Sequence, residues 1–141
     1  MQPSGAEVSR LVRAARTARR RAYVPYSHFS VGAAVLTGEG AIVPGCNVEN
    51  ASYGLSICAE RAAIHRAVAE GHRRLRAVAV ATGPSASMPC GACRQVMQEF
   101  GVRFVIVAGD RGGARTFRLA ELLAHPFGPA DLRHRADPQR R

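Results

Sequence analysis

Apolar residues recur at Val8, Leu11, Val12 and Ala15, a spacing that gives a first helix one apolar face. Ser4 and Glu7 stand ahead of that run in the arrangement of a capping box, and the helix should end before Pro25. The period then changes. VGAAVLT (31–37) and a stretch over about 41–48 read as strands, joined by a hairpin turn at Gly38-Glu39-Gly40. Residues 58–70 return to helix formers and stop at Gly71, a residue type suited to the position just after a helix. LRAVAVA (75–81) and VRFVIVA (102–108) are mostly apolar on both parities, as expected of interior strands covered on both faces. Between them, residues 90–100 read as a helix ending before Gly101, with Pro89 excluded from any preceding helix interior. A last strand near 114–119 follows Gly109-Asp110-Arg111-Gly112-Gly113. That turn is too short for a parallel crossover, so strands four and five should be antiparallel neighbours. A short helix, 119–124, stops before Pro126.

Strands alternating with the helices at 58–70 and 90–100 predict βαβ units, a parallel core and an α/β fold. A length of 141 residues suits one domain, expected over 1–132, with 133–141 a basic and disordered tail. A hydrophobic content of 47% excludes disorder as a description of the whole. No apolar run is long enough to span a bilayer, and the first residues lack the order of a secretory signal, so the cytoplasm is the expected location. The net charge of +10 comes entirely from arginine, concentrated at Arg10–Arg21 and Arg133–Arg141. A nucleic-acid arm and a solvated helix face with a frayed tail compete as explanations. No basic segment is interleaved with aromatics, which favours the second and makes nucleic acid an unexpected partner.

The chemistry concentrates in Cys58-Ala59-Glu60 and Pro89-Cys90-Gly91-Ala92-Cys93. A two-residue gap lets one turn present the Cys90 and Cys93 sulfurs to one ion, and Cys58 ties in a distant segment. Both segments read as helix starts, whose positive ends favour thiolate over thiol. Three cysteines leave one corner of a zinc tetrahedron for water, as in a catalytic site. Glu60, two residues from a ligand, is placed to handle protons. A structural Cys₄ site would need Cys46 as its fourth ligand; Cys46 lies in a strand-like segment and reads better as a buried apolar thiol. A redox C-x-x-C pair would leave Cys58 and Glu60 unexplained. None of the five histidines has ligand spacing; His65 and His72 read as solvated or capping.

The combination matches the pattern described for zinc-dependent deaminases. With YVPYSHFSVGAAV (23–35), GCNVENASY (45–53), CAERAAI (58–64) and PCGACRQVMQEFG (89–101), the chain resembles the small, homotetrameric, three-cysteine cytidine deaminases. The resemblance implies a three-layer α/β/α sandwich around a five-stranded mixed sheet, and zinc-dependent deamination of cytidine and deoxycytidine. It implies zinc on Cys58, Cys90 and Cys93, proton transfer by Glu60, and Arg61 donating hydrogen bonds to the ligand sulfurs. It also implies that Asn47 and Glu49 hold the ribose hydroxyls, that Phe29 packs on the base and that the Ala59 N–H meets the base O2. Tyr53 and Phe127 would complete a neighbouring subunit's pocket. A related small-molecule deaminase, one acting on blasticidin S, is the nearest rival; Asn47 and Glu49 favour a ribose-bearing substrate. A polynucleotide-editing deaminase is opposed by the short turn between strands four and five. A zinc-stabilised binding module without activity is the third alternative.

Overall fold

A computed structural model describes residues 1–132; the basic tail expected from residue 133 onward lies outside the described residues. Helix α1 (Gly5–Arg19) begins as the capping box requires. The Ser4 hydroxyl accepts from the Glu7 N–H, and the Glu7 carboxylate accepts from the Ser4 N–H at 2.8 Å. Strands β1 (Gly32–Thr37) and β2 (Ile42–Cys46) form the expected hairpin. Its turn closes through Gly40, whose φ of 90° puts it in the left-handed region where glycine carries no steric penalty. Helix α2 (Ala59–Ala69) leads to β3 (Leu75–Ala81), helix α3 (Gly91–Glu99) to β4 (Phe104–Ala108), and β5 (Arg115–Arg118) to the short α4 (Leu119–Leu122).

Helices α2 and α3 end alike. His72 N–H reaches the Ala67 carbonyl and Gly71 N–H reaches Val68, while Val102 and Gly101 do the same with Met97 and Gln98. Both are Schellman motifs with a left-handed glycine after the cap, which satisfy carbonyls a helix end would otherwise orphan.

The sheet order is β2-β1-β3-β4-β5. The parallel core expected from the alternation is confined to one bonded pair, β3 with β4. Strand β1 lies between β2 and β3 and pairs antiparallel with both, so β2, β3 and β4 share a direction while β1 and β5 oppose it. The β2-α2-β3 crossover therefore exists but spans an inserted strand, because the hairpin places β1 on the inner side of β2. The last two strands are antiparallel, as the short six-residue connection between them demands.

Strand parity sorts the core into two layers. Val35, Val78, Val80, Val105 and Val107 face α2 and α3, burying Ile64 and Met97. Ala34, Leu36, Ala77, Ala79 and Ile106 face α1, burying Leu11 and Ala15. The result is helix, sheet, helix. Glycines let the layers close: a Cβ on Gly32 would collide with the Ala15 carbonyl, and one on Gly45 would lie 2.5 Å from the Ala63 nitrogen of α2.

The register fixes where a site can form. Gly32 pairs with Cys46 on one side and Ala81 on the other, so these three residues form a row at one rim of the sheet. The chain just beyond that row supplies Asn47 and Thr82, and the chain entering β1 supplies Phe29 and Val31. Helices α2 and α3 both start at this rim, at the carboxyl ends of β2 and β3, where open α/β sheets bind ligands.

Candidate active site

Cys58 is the N-cap residue of α2 and Cys90 that of α3, and neither side chain caps its own helix. Both sulfurs are thus free to point away from their helices. Cys93 follows one turn into α3 and is buried. The Cys58 and Cys90 sulfurs lie 3.8 Å apart, the Cys90 and Cys93 sulfurs 3.5 Å apart, and all three fall within 4.8 Å of one another. Zinc bound at about 2.3 Å per sulfur sets tetrahedron edges of about 3.8 Å, so this donor set fits the ion. Cys46 is not in the cluster. It is half-buried on another surface, less enclosed than a core thiol.

Arg61 stands one turn into α2 and donates Nη2 to the Cys58 sulfur at 3.6 Å. Its Nε is buried and has no partner among the described residues. A half-buried guanidinium hydrogen-bonded to one of the three sulfurs suits a thiolate-rich centre, because three thiolates on a divalent ion leave one excess negative charge. The Cys58 thiol is lowered to about 5, chiefly by hydrogen bonding with Cys93 and then with Arg61 and Cys90. Cys93 is pushed up, first by its hydrogen bond with Cys58 and then by burial.

Glu60 is 4% exposed in a helix's first turn. Burial holds its carboxyl above its ordinary range, and the negative charge of Cys58 adds to that. It lines a cavity of about 250 Å³ whose walls also include Phe29, Asn47, Glu49, Ala59 and two of the cysteines. The pocket's lining contains two carboxylates and no arginine or histidine.

Asn47 and Glu49 both reach this cavity, from the extended segment after β2 in which Val48 bridges to Tyr23 and Ile57. Each also builds the wall. Asn47 Oδ1 accepts from the Val31 N–H and its Nδ2 donates to the Phe29 carbonyl, both at 2.8 Å. Glu49 Oε1 accepts from the Tyr26 and Ser27 N–H groups at 3.1 Å. Its carboxyl is lowered, mainly by hydrogen bonding to Ser27. Between these clamps His28 is held at a φ of 57°, uncommon for a residue with a side chain. Phe29 is 52% exposed at the cavity mouth.

Tyr53 and Phe127 are not part of that cavity's lining. Tyr53 is 74% exposed, its ring edge-on to Tyr26 at 5.7 Å, and Phe127 is 57% exposed with its carbonyl accepting from Gln95. Sequence reasoning passed over Thr82 and Arg94. The buried Thr82 hydroxyl donates to Ser85 and accepts from Ser87, folding the loop that delivers Cys90. Arg94 donates Nε to the Pro89 carbonyl and Nη1 to that of Leu122, tying this loop to α4. A polar residue ending an apolar strand was the available signal for Thr82; nothing in the sequence marked Arg94.

The cytidine and deoxycytidylate deaminase zinc-binding region matches residues 6–109. Cytidine deaminase from Sporosarcina psychrophila is 42% identical over 134 residues, covering 93% of this chain and 98% of that protein. Cytidine deaminase from Halalkalibacterium halodurans is 44% identical over 125 residues, covering 86% and 95%. The crystal structure of cytidine deaminase from Burkholderia pseudomallei superposes with a TM-score of 0.80 at 46% identity, covering 84% of this chain and 98% of that one.

Proposed function

The chain belongs to the family of the cytidine and deoxycytidylate deaminase zinc-binding region, and from that premise we propose that it hydrolyses cytidine and deoxycytidine to uridine and deoxyuridine with release of ammonia. The observation that carries this reading is a buried glutamate beside three sulfurs at zinc-tetrahedron spacing, on the wall of a pocket of about 250 Å³. The electrostatics favour nucleoside over nucleotide. A phosphate entering the pocket would meet Glu49 and Glu60 and no lining cation, a repulsive arrangement in a partly dry site.

Cys58, Cys90 and Cys93 hold zinc, which when bound makes a water nucleophile available near neutral pH. Glu60 takes a proton from the attacking water and hands it to N3 of the pyrimidine as C4 becomes tetrahedral. It then takes the remaining proton from the new C4 hydroxyl and passes it to the exocyclic amine, so that the C4 carbonyl forms as the C4–N bond breaks and ammonia leaves. The Ala59 N–H donates to the base O2, and Phe29 packs on the ring. Asn47 retains one N–H and one lone pair beyond its wall contacts, and Glu49 retains its second oxygen; these meet the ribose hydroxyls. Arg61 offsets the excess thiolate charge.

The exposure of Tyr53 and Phe127 supports a homotetramer in which each completes a neighbouring subunit's pocket. Among the described residues no helix is long and apolar enough to cross a membrane, and the four cysteines are unpaired, in keeping with a reducing cytoplasm. Steady-state assays on cytidine, deoxycytidine, deoxycytidylate and blasticidin S test the reading. Turnover of both nucleosides, with deoxycytidylate and blasticidin far poorer, is expected; a preference for either of the latter rejects it.

A further inference from the structure

A second groove lies apart from this chemistry. About 630 Å³ in volume, it runs between α1, β2 and the middle of α2, and no residue lines both it and the deaminating pocket. Arg10, Arg13 and Arg21 line it from α1, and Arg66 from α2. No carboxylate lines it. Arg66 is anchored, donating Nε to Glu70 at 2.9 Å and Nη1 to the Pro44 carbonyl. Arg10, Arg13 and Arg21 form no ion pair among the described residues, although the fold pairs Arg19 with Asp110 and Arg76 with Glu7.

The rest of the groove is mostly apolar: Ala14, Ala18, Ile42, Pro44, Gly45 and Cys46, with Thr17 its uncharged hydroxyl. A concave, mostly apolar surface bordered by three guanidiniums without carboxylate partners, Arg10, Arg13 and Arg21, is complementary to an anion that also carries an apolar body. Guanidinium forks match phosphate oxygens in pairs. The apolar residues give a flat body somewhere to shed water. We propose that this groove binds an organic polyphosphate, two or more phosphates attached to a flat aromatic body, at a site separate from the deaminating pocket.

The zinc-loaded full chain is titrated at low salt with ATP, tripolyphosphate and adenosine as probes, followed by calorimetry. The Cys46-containing peptide is monitored in parallel for alkylation by mass spectrometry. ATP should bind saturably, at least tenfold more tightly than tripolyphosphate or adenosine, and should protect Cys46 from alkylation. The R10E/R13E double variant should lose at least tenfold in ATP affinity while its cytidine turnover stays unchanged, which also reports an intact fold. Absence of ATP binding, equal binding of ATP and tripolyphosphate, or undiminished affinity in the variant overturns the proposal. So does a single-stranded oligonucleotide that protects Cys46 at concentrations where ATP does not, since it identifies the groove as a nucleic-acid track instead.

Discussion

Asn47 Nδ2 donates to the Phe29 carbonyl at 2.8 Å, so a residue proposed to hold the sugar also holds the cavity wall that carries Phe29. Replacing Asn47 with Asp keeps an acceptor for the Val31 N–H but removes the donor to Phe29 and adds a third carboxylate to the pocket. Breaking such a bond and leaving a partner unsatisfied costs about 1–3 kcal/mol, or roughly ten- to a hundredfold in kcat/KM. Most of the loss should appear in KM, with zinc content unchanged, as read by steady-state kinetics on cytidine.

Cys58 and Cys90 are the N-cap residues of different helices, and their sulfurs meet at 3.8 Å where those helices start. Cys90→Ala should therefore lose metal and stability in one step, because binding free energy at such a site is also folding free energy. Metal analysis and thermal melting of the same preparation check this. Chelation of the wild-type protein should lower its melting temperature in the same way.

Gly45 lies where α2 crosses β2, and an added Cβ would press on the backbone of Ala63 and the Ala59 carbonyl. Helix backbone cannot move aside as a flexible side chain can. Gly45→Ala should cost about 1–3 kcal/mol by overpacking. It should also lower kcat, because the displaced helix carries Glu60 in its first turn. Denaturant unfolding and turnover measured together test both halves.

Glu7 serves two partners, closing the α1 capping box and pairing with Arg76 of β3 at 2.8 Å. Its carboxyl is lowered from the ordinary value of 4.5, first by the Ser4 backbone hydrogen bond and then by Arg76. A depressed folded-state value means the contribution is fully present above pH 4.5 and fades as pH falls through the folded value. Glu7→Gln should lower the melting temperature at pH 7, and the gap to wild type should narrow as the pH is taken below 4.5.

Much of this was legible because local rules sufficed. The Ser4–Glu7 box, the glycines closing α2 and α3, and the antiparallel final pair each follow from a few neighbouring residues. The three cysteines and Glu60 were legible because zinc chemistry constrains residue type and spacing together. Strand order was not. Apolar residues on both parities state that a strand is interior, yet say nothing of which strand lies beside it, so the insertion of β1 between β2 and β3 was missed. Gly32 and Gly45 looked like ordinary strand glycines until helix backbones were seen to pass over them. The double duty of Asn47 and Glu49 has the same origin, since it needs the 26–31 loop to fold back onto the segment after β2. The arginine groove needs three elements to converge.

The most direct test is ammonia release from cytidine by zinc-loaded Glu60→Ala, with metal content and melting temperature measured on the same sample. Wild-type zinc content and a near wild-type fold, with turnover reduced by about 10²-fold or more, are expected of a residue that moves the proton. Turnover retained at the wild-type rate would contradict the assignment of the proton shuttle to Glu60.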